Sequence, residues 1–147
     1  RELAASLFNH VWTRMEQDER SPEDVDDMIA ASHASLYHWM QCGTAVNIVR
    51  GHWQIARMYA VLKWGTESMR HAQRCLDVCQ AHAIGDFDLA YAFEAIARAC
   101  WLVNDIPQAQ SWYQQMTHAA ANIAKPEDAA WFAKDTSDLA ELAAQRE

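Results

Sequence analysis

Glycine and proline are scarce, at 4 and 3 residues in a chain of 147. So few breakers cannot supply the turns of a sandwich or barrel made from many short strands. Positive charge is also short. Twelve Lys and Arg stand against twenty Asp and Glu, a net charge of −8. That balance argues against nucleic-acid binding through phosphate neutralisation and against attachment to an anionic membrane. No apolar run approaches the roughly 20 residues of a membrane span. A Gly-rich phosphate loop, a His-Glu-x-x-His pair and a nucleophile elbow are all missing, so no established catalytic signature is present. No signal-peptide pattern is visible. Cys42, Cys75, Cys79 and Cys100 lack the loop-rich spacing of a disulfide scaffold. Reduced thiols and a cytoplasmic location are therefore expected.

What remains is apolar and helical. Hydrophobic residues make up 51% of the chain and seven residues are Trp. This length matches one domain with one core. Leu3, Leu7, Val11, Trp12 and Met15 mark the apolar face of a first helix over about residues 2–17. Ser21-Pro22-Glu23-Asp24 opens a second: Ser caps, Pro needs no N–H in the first turn, and the acids meet the positive dipole end. It runs to about Cys42 and stops at Gly43. Thr44 caps a third that ends at Trp64 and Gly65. Thr66 caps a fourth that ends before Gly85. Asp86 caps a fifth running to about Val103. Asp105-Ile106-Pro107-Gln108 opens a sixth and Lys125-Pro126-Glu127-Asp128 a seventh. Gly51 is the one glycine inside a predicted helix, where it costs about 1 kcal/mol relative to Ala. It would permit close helix packing or ligand approach.

Ile55-Ala56-Arg57 recurs as Ile96-Ala97-Arg98, about forty residues later, and a turn and second helix follow each copy. Helix pairs at a fixed period indicate an α-solenoid. In the later copy Phe93, Ile96, Ala97, Cys100, Asn104, Ala109, Tyr113 and Met116 follow the large/small alternation of a tetratricopeptide repeat. The chain thus resembles tetratricopeptide-like (TPR-like) helical-repeat proteins over about residues 44–124. The stretch from Ile84 to Arg98 is similar to one in bacterial members of that group. The resemblance implies an all-α, right-handed solenoid of about seven helices in stacked antiparallel pairs, with a concave binding face. It would form a single domain, 1–147, divided as an N-terminal pair (1–43), repeats at 44–85 and 86–125, and a capping helix (126–147).

Charge is unevenly spread. Acids crowd residues 16–27 and again follow Glu127, whereas Arg50, Arg57, Lys63, Arg70 and Arg74 are opposed only by Glu67. Polar stripes cross otherwise apolar helices: His33, Tyr37 and Gln41 on the second, Asn47, Arg50, Gln54 and Arg57 on the third, Tyr91, Glu94 and Arg98 on the fifth. A buried arginine needs a partner. Glu94 and Arg98 are an i,i+4 pair in the favoured order, but Arg50 and Arg57 have no carboxylate at matching spacing on their own helix. Either these groups bond between helices, with Asp86, Asp88 or Glu94 serving the arginines, or the arginines await an external carboxylate or phosphate. His71, Cys75, Cys79 and His82 share one helix face and are types zinc accepts, yet a straight helix spreads them over roughly 16 Å, too far for one ion. No metal or cofactor is expected.

Two functional readings follow. The first is a non-catalytic module that binds a protein or peptide in a locally basic groove. The second is a small-molecule site, with or without catalysis, built from His33, Tyr37, Arg50, Arg57, Tyr91, Glu94 and Arg98. A homodimer through the outer helices is a further expectation. An enclosed pocket around Arg57 favours the second reading and an open groove the first.

Overall fold

The computed structural model describes residues 1–145 and is all-α over them, with eight helices and no strand. They are α1 (Glu2–Met15), α2 (Pro22–Cys42), α3 (Ala45–Val61), α4 (Gly65–Ala81), α5 (Asp86–Leu102), α6 (Ile106–Ala121), α7 (Pro126–Asp135) and α8 (Ser137–Ala144). Residues 146–147 of the expected domain lie outside those described. Each of α1 to α5 packs on the helix that follows it, and α3 also touches α1 and α5. Tight connections send each helix back along its predecessor. The α7–α8 pair packs on α5 and α6.

Local chemistry explains the starts of α2, α6 and α7. Ser21 Oγ accepts the Asp24 N–H at 3.1 Å while the Asp24 carboxylate accepts the Ser21 N–H at 3.1 Å. This capping box satisfies two groups the first turn of α2 would leave unpaired. Asp105 accepts the Gln108 N–H at 3.3 Å to open α6, and Pro126 takes the first position of α7. Asp86 does not cap α5 as its type suggests. Gly85 holds that place, and the Asp86 carboxylate accepts the Ala124 N–H at 3.2 Å, tying α5 to the α6–α7 turn.

The ends differ from expectation. Gly43 follows α2, but Gly65 begins α4 and Gly85 precedes α5, and none of them has a positive φ. The left-handed positions that end α3, α4 and α5 fall on Lys63 (φ 63°), Ala83 (φ 51°) and Asn104 (φ 61°). After each, an N–H reaches back five residues to a helix carbonyl: Trp64 to Tyr59, Ile84 to Cys79, Asp105 to Cys100, each at 2.9 Å. Those bonds satisfy carbonyls the last turn would otherwise leave open.

The expected seventh helix is two helices. The Thr136 hydroxyl donates to the Phe132 carbonyl at 2.9 Å, as does its own N–H at 3.0 Å. This back-bonding competes with the helical ladder and favours a bend. The chain turns there, so Phe132 and Leu139 both enter the core.

Two apolar clusters meet at α3. One joins Val11 and Met15 to Met28, Leu36, Ile55 and Met58; the other runs from Val49 and Ala56 through α4, α5 and α6 to Phe132 and Leu139. On α5, Ala90, Ala92, Ala95, Ala97 and Ala99 are buried, and their small side chains let neighbouring helices approach closely. Gly51 faces α2: a Cβ there would stand 2.9 Å from Leu36 Cδ1. Close helix packing is what this glycine serves.

Candidate functional site

The polar stripe of α3 meets that of α5, and carboxylates from α7 and α8 join them. Arg50 makes a bidentate pair with Asp88, Nε–Oδ1 at 2.8 Å and Nη2–Oδ2 at 3.2 Å. That bond holds its pKa above the usual guanidinium value. Arg57 lies between Glu94 (3.3 Å) and Asp135 (2.9 Å). Arg98 donates to Glu94 at 2.6 Å and also pairs with Asp138. Glu94 is fully buried and additionally accepts Trp53 Nε1–H at 2.9 Å. Burial pushes its carboxyl up, but Arg57, Arg98 and the Trp53 bond outweigh that, so the net shift is downward. Three guanidiniums are thus bound by four carboxylates.

Beside this network is a cavity of about 600 Å³ walled by α1, α3, α5 and α7. Its rings belong to Phe8, Trp12, Trp53, Phe87, Tyr91 and Trp131. Trp12 and Trp53 lie 5.6 Å apart between centroids, Trp53 and Tyr91 4.9 Å, and Phe87 and Tyr91 4.8 Å. Trp131 is 62% exposed. Polar groups enter at few points: Arg50, Asp88, Asp135 and Glu16. Burial, and the Asp135 carboxylate next to it, push the Tyr91 phenol up, so it stays protonated. A second cavity, of about 430 Å³, lies where Arg57, Lys63, Arg98, Trp101 and Asp138 meet Leu139 and Leu142.

Of the residues expected to form a site, Arg50, Arg57, Tyr91, Glu94 and Arg98 are brought together. His33 and Tyr37 are not. Tyr37 points to solvent at 61% exposure. His33 Nε2 bonds the Tyr59 hydroxyl at 3.0 Å, in a separate cluster with His52 and His71. Nδ1 of His52 and Nδ1 of His71 are 3.2 Å apart. Burial drives both imidazoles down to about 4, with Arg74 adding to it at His52 and the facing ring adding to it at His71. At neutral pH both are uncharged, one donating and one accepting.

His71 therefore turns to His52, while Cys75 and Cys79 are packed in the core and His82 sits exposed at the end of α4. Among the described residues, no three His, Cys, Asp or Glu side chains are placed to hold a metal ion. No helix among them is long and apolar enough to cross a membrane.

Chemically the arrangement suits binding. Carboxylates held ionised by arginines are weak bases, and a phenol with a raised pKa donates a hydrogen bond. Sequence spacing does not single out Asp135 and Asp138, which carry only the general signal of an acidic C-terminal region. The aromatic wall carries no signal beyond tryptophan abundance. No family model, curated protein or solved structure matches the chain.

Proposed function

We propose that this protein is a non-catalytic, TPR-like binding module whose aromatic cavity holds a small ligand. The observation behind it is the cavity itself: about 600 Å³, ring-lined, with a few oriented polar groups. Those are the dimensions and character of small-molecule sites, which commonly fall within roughly 300–1,000 Å³. Helix pairs packed in sequence and α3 touching both α1 and α5 support the repeat reading. The buried free thiols of Cys75, Cys79 and Cys100 support a reducing, cytoplasmic setting. An exposed Trp131 at the cavity edge favours a second reading, in which a peptide side chain enters the same cavity.

The test is the seven tryptophan indole N–H signals in a ¹⁵N–¹H spectrum, titrated with benzyl alcohol. Shifts confined to Trp12, Trp53 and Trp131 are expected, with loss of the effect in Trp131→Ala. No shift at millimolar probe, or shifts centred on Trp64, Trp101 or Trp112, would overturn the proposal.

A further inference from the structure

We propose that the cavity selects an organic monocation with a flat apolar body, an arylalkylammonium in chemical class. This rests on the small-ligand reading above and adds the sign of the ligand's charge.

The rings are the first reason. A cation is attracted to the face of Trp, Tyr or Phe by the ring quadrupole. Two of the cavity's tryptophans already meet a cation in that way. The Arg57 guanidinium carbon sits 5.4 Å from the Trp53 ring centroid, and Lys134 Nζ sits 5.7 Å from that of Trp131.

Charge is the second. The sequence shows a basic middle, but folding reverses its sign at the cavity. Arg50 is cancelled by Asp88, and Arg57 and Arg98 are held by Glu94, Asp135 and Asp138. Glu16 enters the lining from the end of α1 and forms no ion pair among the described residues. Asp128 adds its field at Arg50. Six carboxylates thus surround three guanidiniums and Lys134. An anion entering here must displace Asp88 from a bidentate pair and face Glu16 and Asp135. A cation meets two carboxylates and the ring faces.

The probes are benzyltrimethylammonium, benzyl alcohol and phenylacetate, which share one ring and differ in charge. Affinities are read by the indole shifts at low and at moderate salt. The cation should bind about tenfold more tightly than the alcohol, the range expected of cation–π contact with partial desolvation. Phenylacetate should bind more weakly than the alcohol. Added salt should narrow the gap between cation and anion. Glu16→Gln should reduce the cation-to-alcohol ratio about threefold. Asp26→Asn, an exposed acid away from the lining, controls for net charge and should leave the ratio unchanged. Phenylacetate binding as tightly as the cation overturns this inference but leaves the small-ligand reading standing. Equal ratios in Glu16→Gln and wild type overturn it too. Failure of all three probes removes both.

Discussion

Replacing Glu94 by Gln keeps the shape of a fully buried side chain and removes its charge. In the native protein that carboxylate accepts from Arg98 Nε at 2.6 Å and Trp53 Nε1 at 2.9 Å, and pairs with Arg57 at 3.3 Å. Both guanidiniums are largely enclosed, with side-chain exposures of 14% and 13%. Removing one partner of a buried ion pair costs about 3–5 kcal/mol. Asp135 and Asp138 still hold the arginines, and the amide oxygen can still accept from Trp53, so about 3 kcal/mol is expected. For a chain of this size that lowers Tm by roughly 6–12 °C. Urea unfolding followed by far-ultraviolet circular dichroism measures it, with an unchanged slope showing that the same surface unfolds. The sign of the pH effect is also set. Glu94's pKa is lowered on folding from 4.5, so its stabilisation is present above the ordinary carboxyl range and lost as pH falls below it. The gap between Glu94→Gln and wild type should therefore close in acid. A variant within about 0.5 kcal/mol of wild type at pH 7, well under the cost of an orphaned buried partner, would show that Glu94 does not hold the network.

Lowering pH from 7 to 5 should cost stability through His52 and His71. Their pKa values fall from 6.5 to about 4 on folding, so the unfolded chain takes up protons first. The loss sets in near 6.5 and amounts to about 1 kcal/mol each after allowing for partial solvent screening. His52 and His71 ring C–H resonances titrating near 6.5 in the native protein would contradict this. Gly51→Ala should stay within about 1 kcal/mol of wild type, because better helix propensity offsets a contact that Leu36 Cδ1 can rotate away from. Gly51→Leu should cost several times more in the same urea assay, and equal effects would count against close packing there. Of the four cysteines only Cys42 is exposed. A thiol reagent should therefore consume one equivalent rapidly from the native protein and the other three only on unfolding. Burial pushes the Cys100 thiol up to about 11, slowing it further. Rapid reaction of a second thiol would refute that placement.

Ser21-Pro22-Glu23-Asp24, Asp105-Ile106-Pro107-Gln108 and Pro126 mark helix starts in the sequence, and each is a helix start in the structure. Such signals are readable because a cap and its target lie three residues apart. Helix type, helix order and the all-α class follow from them. The ends were less legible. A left-handed residue closing a helix need not be glycine when a bond reaching back five residues compensates it, as at Lys63, Ala83 and Asn104.

The site divides the same way. Glu94 and Arg98 are four apart on one helix, and their pairing is visible in the sequence. Arg57 finds Asp135 across 78 residues, Arg98 finds Asp138 across 40 and Arg50 finds Asp88 across 38. No local rule connects those positions. Ion pairs between helices depend on which faces pack together and on the bend at Thr136, between Asp135 and Asp138. The sequence alone therefore determines the all-α class, the first six helices and their succession, and a locally positive middle. Tertiary packing alone decides that this charge is neutralised and that six aromatic rings line a cavity beside it. Helical hydrogen bonds close within a few residues, whereas charge and shape at a site sum over every element that folding brings near.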